Sequence, residues 1–272
     1  MTSDTTAQHV PSALMRQTLL NRDLVRPATN RPVIRMLPQL RVVKLGGRAI
    51  LDKGRDAILS VIDELKQALP ERNLLIATGA GIRGRHVMGV SLDMGLPTGV
   101  LAALASSEAE QNGHIIAALL AEHGVSYLPH TTVGRQLAVH LAASPAAVCN
   151  GFPPYELFDH PPAVGKIPQH RTDAGAFLIA DAYGAKQLVY ISDVDGIHDA
   201  DPRQSSGAKL LKSVTVDELS GMNLKTLPIE RIVLDLMRSA KHMTQIQVVN
   251  GLERGNITGA LAGKHVGTIV RR

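Results

Sequence analysis

From Arg41 onward the chain alternates short apolar runs of β type with stretches whose apolar residues recur every three or four positions. The run "RVVKL" (41–45) reads as a buried strand. Residues 54–69 ("GRDAILSVIDELKQAL") read as an amphipathic helix with Ile58, Val61, Ile62, Leu65 and Leu69 on one face, and "NLLIAT" (73–78) as the next strand. The pattern continues with a helical stretch from about Val100 to His123, a strand near 125–128, a helical piece around 132–142 and the strand "AAVC" (146–149). Beyond a proline-rich loop from Pro153 to Pro168 follow a helix near 173–183, the strand "QLVYI" (187–191), a helix near 229–241, the strand "QIQVVN" (245–250) and a terminal "GTIV" (267–270). Strands separated by helices predict an α/β fold of three layers, a mainly parallel sheet covered on both faces. In such sheets ligands sit at the carboxyl ends of the strands, so chemistry is expected in the loops that directly follow them.

Residues 1–38 break the pattern. They carry Arg16, Arg22, Arg26, Arg31 and Arg35, several prolines and no sustained periodicity, which describes an arm for subunit contacts and not a domain. Asp4, Asp23 and the prolines argue against an organelle transit peptide. An apolar content of 44% over 272 residues is enough for a full core. No apolar run approaches the roughly 20 residues that span a bilayer, so a membrane partner is not expected. The single cysteine, Cys149, cannot form an internal disulfide, which agrees with a reducing compartment, and a cytoplasmic location is the expectation. A formal charge of +5 favours an anionic partner; with no Trp, three Phe and four Tyr there is almost no base-stacking surface, so a small anion is preferred to nucleic acid.

Three loops carry the candidate chemistry. Gly46 and Gly47 follow the first strand, with Lys44 before them, and "TGAG" (78–81) follows the second, with Arg83 close behind. Glycine lets backbone N–H groups approach an anion without a Cβ in the way, and two such loops side by side make a phosphate cradle. The plainer alternative is a pair of tight strand-to-helix turns. Neither loop has the G-x-x-x-x-G-K-[ST] or G-x-G-x-x-G spacing. The third stretch is "RTDAGAFLIADAYGAKQLVYISDVDGIHDADPR" (171–203). In it Asp173 opens a helix, where it either caps the helix or orients a cation among phosphates. Asp193, Asp195, Gly196 and Asp201 follow the strand 187–191.

Together these stretches resemble the amino acid kinase family, from about Arg41 to the C-terminus. The resemblance implies the fold of that family, with residues 39–165 as the substrate or anion side and 166–272 as the nucleotide side. It implies that Lys44, Gly46 and Gly47 contact the transferring phosphates of Mg–ATP, that Gly79, Ala80 and Gly81 hold the substrate side, and that Asp173 organises the phosphates. The loop Val194–Pro202, including Asp195, Gly196, Ile197 and Asp201, would frame the base and ribose. Lys44 and Asp173 are thus the implied catalytic pair.

A more specific likeness, spanning the arm as well, is to the molybdenum-storage branch of this family. It is carried by "RQTLLNRDLVRP", "TGAGIRGRH", "QNGHIIAALLAEHGVSY", "FPPY", "PQHRTDAGAFL" and "IQVVNGLERGNITGALAGKHVGTI". That resemblance implies a hexameric cage of homologous or second-type subunits holding molybdate or tungstate as polyoxometalate clusters, with ATP hydrolysis assisting the filling. His140, His130 and His86 are the cluster-binding candidates it suggests, with His114 and His170 behind them. Two departures stand out. Glu156, Leu157 and Phe158 follow "FPPY" where one type of storage subunit has a run of histidines, leaving only His160 nearby. Ser192 stands where kinases of the family place a charged residue, with Lys186 or a neighbouring subunit as the substitute charge. A small-molecule kinase, above all a uridylate kinase, and a regulatory nucleotide-binding module are the competing readings.

Overall fold

A computed structural model describes residues 33–71, 73–155, 165–205 and 207–272. The expected arm up to residue 32, and the loop holding Glu156, Leu157, Phe158 and His160, lie outside the described residues. The elements run β1 (Arg41–Leu45), α1 (Arg55–Ala68), β2 (Leu74–Thr78), α2 (Gly81–Asp93), α3 (Thr98–Leu120), β3 (Ser126–Tyr127), α4 (His130–Ala143), β4 (Ala146–Asn150) and α5 (Thr172–Tyr183). They continue with β5 (Gln187–Ser192), β6 (Ser213–Thr215), α6 (Val216–Gly221), α7 (Ile232–Ser239), β7 (Gln245–Asn250), α8 (Asn256–Leu261) and β8 (Thr268–Arg271).

All eight strands form one sheet in the order β3-β4-β2-β1-β5-β7-β8-β6. Every pairing is parallel except β7 with β8, and the antiparallel return at the C-terminus is the one departure from the expected parallel pattern. Both expected halves, 39–165 and 166–272, share this sheet through the pairing of β1 with β5.

The central strands β1, β2, β4, β5 and β7 are buried on both faces, and their side chains alternate between two cores as a period of two requires. Val42, Leu75, Ala77, Leu188 and Tyr190 join one core with residues of α4, α5, α6 and α7. Val43, Leu45, Leu74, Ile76, Val189 and Ile191 join the other with α1, α3 and α8. The three layers follow directly. Lys44 takes the parity of Val42, which aims it at the face covered by α5, and that phase decides its partner.

The helix α2 was not expected. It packs on α3 instead of the sheet, through Ala80 and Met88 against Leu101, Ala105 and Ala109. A helix that buries so narrow a stripe, and contains Gly84 and Gly89, leaves little apolar periodicity to read. The six-residue helices α6 and α8 are too short for periodicity. Among the described residues no helix is long and apolar enough to cross a membrane.

Candidate functional site

Parallel pairing brings the carboxyl ends of β1, β2 and β5 to one edge, and the chain leaves β1 toward β2 on one side before returning as β5 on the other. The crevice expected at such a point is a cleft of about 500 Å³. It is lined by Lys44, Gly46 and Gly47 after β1, Gly79, Ala80 and Gly81 after β2, and Asp173, Asp193, Gly196 and Asp201 from the third stretch.

At its floor Lys44, only 9% exposed, pairs its ammonium with the Asp173 carboxylate. Asp173 does not cap its own helix. Its other carboxylate oxygen accepts the Glu230 N–H at 2.8 Å. The start of α5 is served instead by Glu230, whose carboxylate accepts the N–H groups of Arg171, Asp173 and Ala174 at 3.3–3.4 Å and lies 3.5 Å from the Arg171 guanidinium. An anion at a helix start is favoured by the unpaired amides and the helix dipole. Burial, and then the Asp173 charge, nevertheless raise the Glu230 carboxyl to about 7, against the pull of Arg171 and Lys44. Tyr190, which donates to the Asp173 carbonyl at 3.0 Å, has its phenol pushed well above the usual range by burial and by the same two carboxylates. Two carboxylates and one lysine in so dry a place leave room for further positive charge, and cations surround them.

The glycine pairs answer to a steric demand. A Cβ on Gly47 would sit 2.1 Å from the Gly81 nitrogen, and one on Gly79 would sit 2.7 Å from the Gly47 nitrogen, so the two loops interlock only without side chains. The Gly46 and Gly79 amides are spent on the Ile191 and Leu45 carbonyls. Asn112 of α3 clamps the second loop by donating to the Gly79 carbonyl at 2.7 Å. The tight-turn reading holds for both glycine pairs, and the turns build the cleft wall.

Other expected residues fall elsewhere. Arg83 points away from the cleft onto α3, where it pairs with Glu108 at 3.3 Å and donates to Gln111 and Asn112. Asp195 accepts from Asn250 at 2.8 Å, and Ile197 is buried in the core with its N–H donated to Thr268. These two anchor the loop after β5 and do not line the cleft. Lys186, whose N–H bonds the Leu40 carbonyl, precedes β5 and so lies at the opposite edge of the sheet from Ser192, which rules it out as a substitute charge. Asp193 holds both Arg203, at 2.6 Å, and Lys53, at 3.1 Å.

The cleft also contains residues that sequence reasoning did not select: Arg48, Arg85, Arg171, Arg203 and Glu230. Burial depresses the Arg85 guanidinium below its ordinary value, and Arg48 and Arg171 depress it further, with Asp52 acting in opposition. "RTDAG" was the one signal that could have drawn attention to Arg171. Glu230 had none, being 57 residues from its partner.

The three histidines are not brought together. His130 opens α4, buried, with its ring nitrogens 3.5 Å from Ser106 Oγ and Asn150 Nδ2. His140 lies ten residues further along α4, about 15 Å at the rise of a helix, half-exposed and 3.4 Å from Ser126 Oγ. His86 is exposed on α2. Among the described residues no group of three or more His, Cys, Asp or Glu side chains could hold a metal ion.

Comparison with known proteins agrees with this geometry. Residues 39–250 match the amino acid kinase family. The chain is 42% identical over 257 residues to the molybdenum storage protein subunit beta of Azotobacter vinelandii, covering 94% of this chain and 95% of that one. It is 25% identical over 235 residues to a uridylate kinase of Methanobrevibacter smithii, covering 84% and 97% respectively. The crystal structure of uridylate kinase from Archaeoglobus fulgidus superposes with a TM-score of 0.68 at 17% identity, over 85% of this chain and all of that one. The chain belongs to the amino acid kinase family.

Proposed function

We propose that this chain is a subunit of an oligomeric store for molybdate or tungstate, which binds Mg–ATP in the cleft and uses its hydrolysis to assist loading. The observation that carries the reading is the end-to-end match at 42% identity to a storage subunit, set against 25% for a uridylate kinase over a comparable length. The charge of the cleft supports it. Lys44 and four arginines converge on a space large enough for a triphosphate, and an oxyanion such as molybdate has much the same shape and hydrogen-bonding demand as phosphate.

In this reading Lys44 neutralises phosphate oxygens while Asp173 fixes the direction of its ammonium, and Glu230 fixes Asp173. Bound ATP supplies a phosphoryl group of high transfer potential. Magnesium takes most of its ligands from phosphates and water, so the lack of a three-carboxylate cluster among the described residues is compatible with it. The arm would bind neighbouring subunits, and a hexamer in the cytoplasm is the form we favour.

The competing reading, uridylate kinase, draws on the same Lys44–Asp173 pair. One experiment separates them: the purified protein is incubated with molybdate and Mg–ATP, stripped of free anion, and analysed for metal, while a parallel sample is assayed for phosphate transfer to UMP. Metal retained well above one atom per chain supports storage. No retained metal together with phosphorylated UMP would replace it with the kinase.

A further inference from the structure

We propose that Glu230 takes up a proton from solvent when phosphates enter the cleft, so that binding of Mg–ATP is coupled to the charge of this one carboxylate. The inference rests on the reading that the cleft holds Mg–ATP, and it is the same whether the chain stores oxyanions or phosphorylates an acceptor.

Glu230 reaches the floor of the cleft from the loop between α6 and α7. Its side chain is only 12% exposed, and a carboxylate tolerates such burial when short charge-assisted hydrogen bonds or a close ion pair replace the lost water. Glu230 has neither. Among the described residues its oxygens meet the Arg171, Asp173 and Ala174 N–H groups at 3.3–3.4 Å and the Arg171 Nε at 3.5 Å, all longer than the roughly 2.7–3.2 Å of an ordinary N–H···O bond. Lys44 turns its ammonium to Asp173 instead. Of the two buried carboxylates, Asp173 therefore keeps the close cation, and Glu230 is the one with a proton to gain. Burial, and then the Asp173 charge, already lift its carboxyl to about 7. Tyr190, the remaining titratable group that acts on this cluster, stays a neutral phenol, and Arg231, next to Glu230 in sequence, is exposed.

The cations that favour an ionised Glu230 are Arg171 first and Lys44 second. Both line the cleft, so phosphate oxygens arriving there compete for both. Each cation drawn toward the phosphates is lost to Glu230, while the incoming negative charge acts on it directly. The two effects have one sign, and a carboxylate answers both by protonation. The neutral acid still fits its place, since its carbonyl oxygen accepts from the α5 amides and its backbone N–H still serves Asp173 at 2.8 Å. Asp173 thus keeps its position while one repulsive charge is removed from beside the phosphates.

The test is calorimetric titration of the full-length protein with Mg–ATP at pH about 7.5 in PIPES, HEPES and Tris, whose different ionisation heats report the protons exchanged. If binding raises the proton affinity of the carboxyl about tenfold from its value of about 7, roughly half a proton is taken up per chain. By linkage, affinity for Mg–ATP should then fall several-fold between about pH 6 and 9. Glu230→Gln, neutral at every pH, should abolish the uptake and this fall in affinity. His198 also lines the cleft and is the rival proton acceptor, so His198→Asn should leave the uptake in place. Uptake that survives in Glu230→Gln, or disappears in His198→Asn, overturns the inference. So does a wild-type protein that binds Mg–ATP without exchanging protons, a result that needs no variant and leaves the nucleotide reading standing. A wild-type protein that binds no Mg–ATP in any of the buffers overturns both.

Discussion

The cleft and the helix α4 treat their candidate residues in opposite ways. In the cleft, residues up to 186 positions apart in sequence, from Lys44 to Glu230, meet within hydrogen-bonding distance of a common partner, Asp173. On α4, His130 and His140, ten positions apart, face different ends of the sheet, one in a buried network and one half-exposed. Parallel strands deliver every following loop to one edge, so distance in sequence is cancelled there. A helix does the reverse and converts sequence separation into length at about 1.5 Å per residue. Convergence is therefore a property of loops after strands, and it is there that a shared ligand is expected.

The largest effect should come from the centre of convergence. Lys44→Ala removes a charge-assisted partner from bound phosphates, worth roughly 1.5–3 kcal/mol or about 10–100-fold in nucleotide affinity. It also leaves Asp173 and Glu230 facing each other without their lysine, and breaking a buried pair in this way costs roughly 3–5 kcal/mol of stability. Calorimetric titration with Mg–ATP and denaturant unfolding measure the two losses. Unchanged affinity would detach the first glycine loop from nucleotide binding.

The next effect is smaller and depends on pH. The Glu230 carboxyl is raised to about 7 in the folded chain by burial and the Asp173 charge. A carboxyl near its ordinary value of 4.3 when unfolded then holds more proton in the folded state across the interval between. Stability contributed by the neutral acid is complete below the unfolded value and is lost as pH rises through about 7, by at most about 4 kcal/mol. Glu230→Gln keeps the shape and removes the titration. Its stability relative to the wild type should rise between pH 5 and 8, measured by denaturant unfolding at several pH values; a flat difference would mean that Glu230 stays ionised throughout.

Gly47→Ala tests the interlocking of the loops. A methyl group at 2.1 Å from the Gly81 nitrogen must push the loops apart, and overpacking of this kind costs roughly 1–3 kcal/mol. Nucleotide affinity should fall with stability, because both loops line the same cleft. Retained affinity in a destabilised protein would make the glycine purely architectural.

How much of this was legible follows from the same geometry. β1 with Lys44 and its glycines could be read because strand, charge and turn are contiguous in sequence, and the phase of β1 fixes which face Lys44 takes. Arg83 was selected, whereas Arg85 is the one that lines the cleft, because α2 was not recognised: two residues apart on a helix are about 200° apart, so without the helix there is no means to choose between them. Glu230 was out of reach, since nothing near it in sequence signals that it serves the start of α5. The capping box of α6 shows the opposite case. Thr215 accepts from the Glu218 N–H while Glu218 accepts from the Thr215 N–H, a pattern written in four consecutive residues and readable without any tertiary knowledge.

The smallest effect on the cleft should come from His140, and it is the sharpest test of the separation. The ring is half-exposed, it meets Ser126 Oγ at 3.4 Å, and it lies toward the amino end of β4, away from the loops that line the cleft. His140→Ala should change stability by no more than about 0.5 kcal/mol, as surface replacements do, and leave Mg–ATP affinity unaltered. If clusters are anchored at that end of the helix, metal retained per chain after loading should nevertheless fall. His130→Ala is the paired control. It empties a buried position next to Ser106 and Asn150, which costs roughly 1–3 kcal/mol. Metal analysis and unfolding of both variants give four numbers. A protein that loses metal only when it loses stability has no cluster ligand on α4, whereas loss of metal in a fully stable His140→Ala chain assigns storage to a surface that the nucleotide never touches.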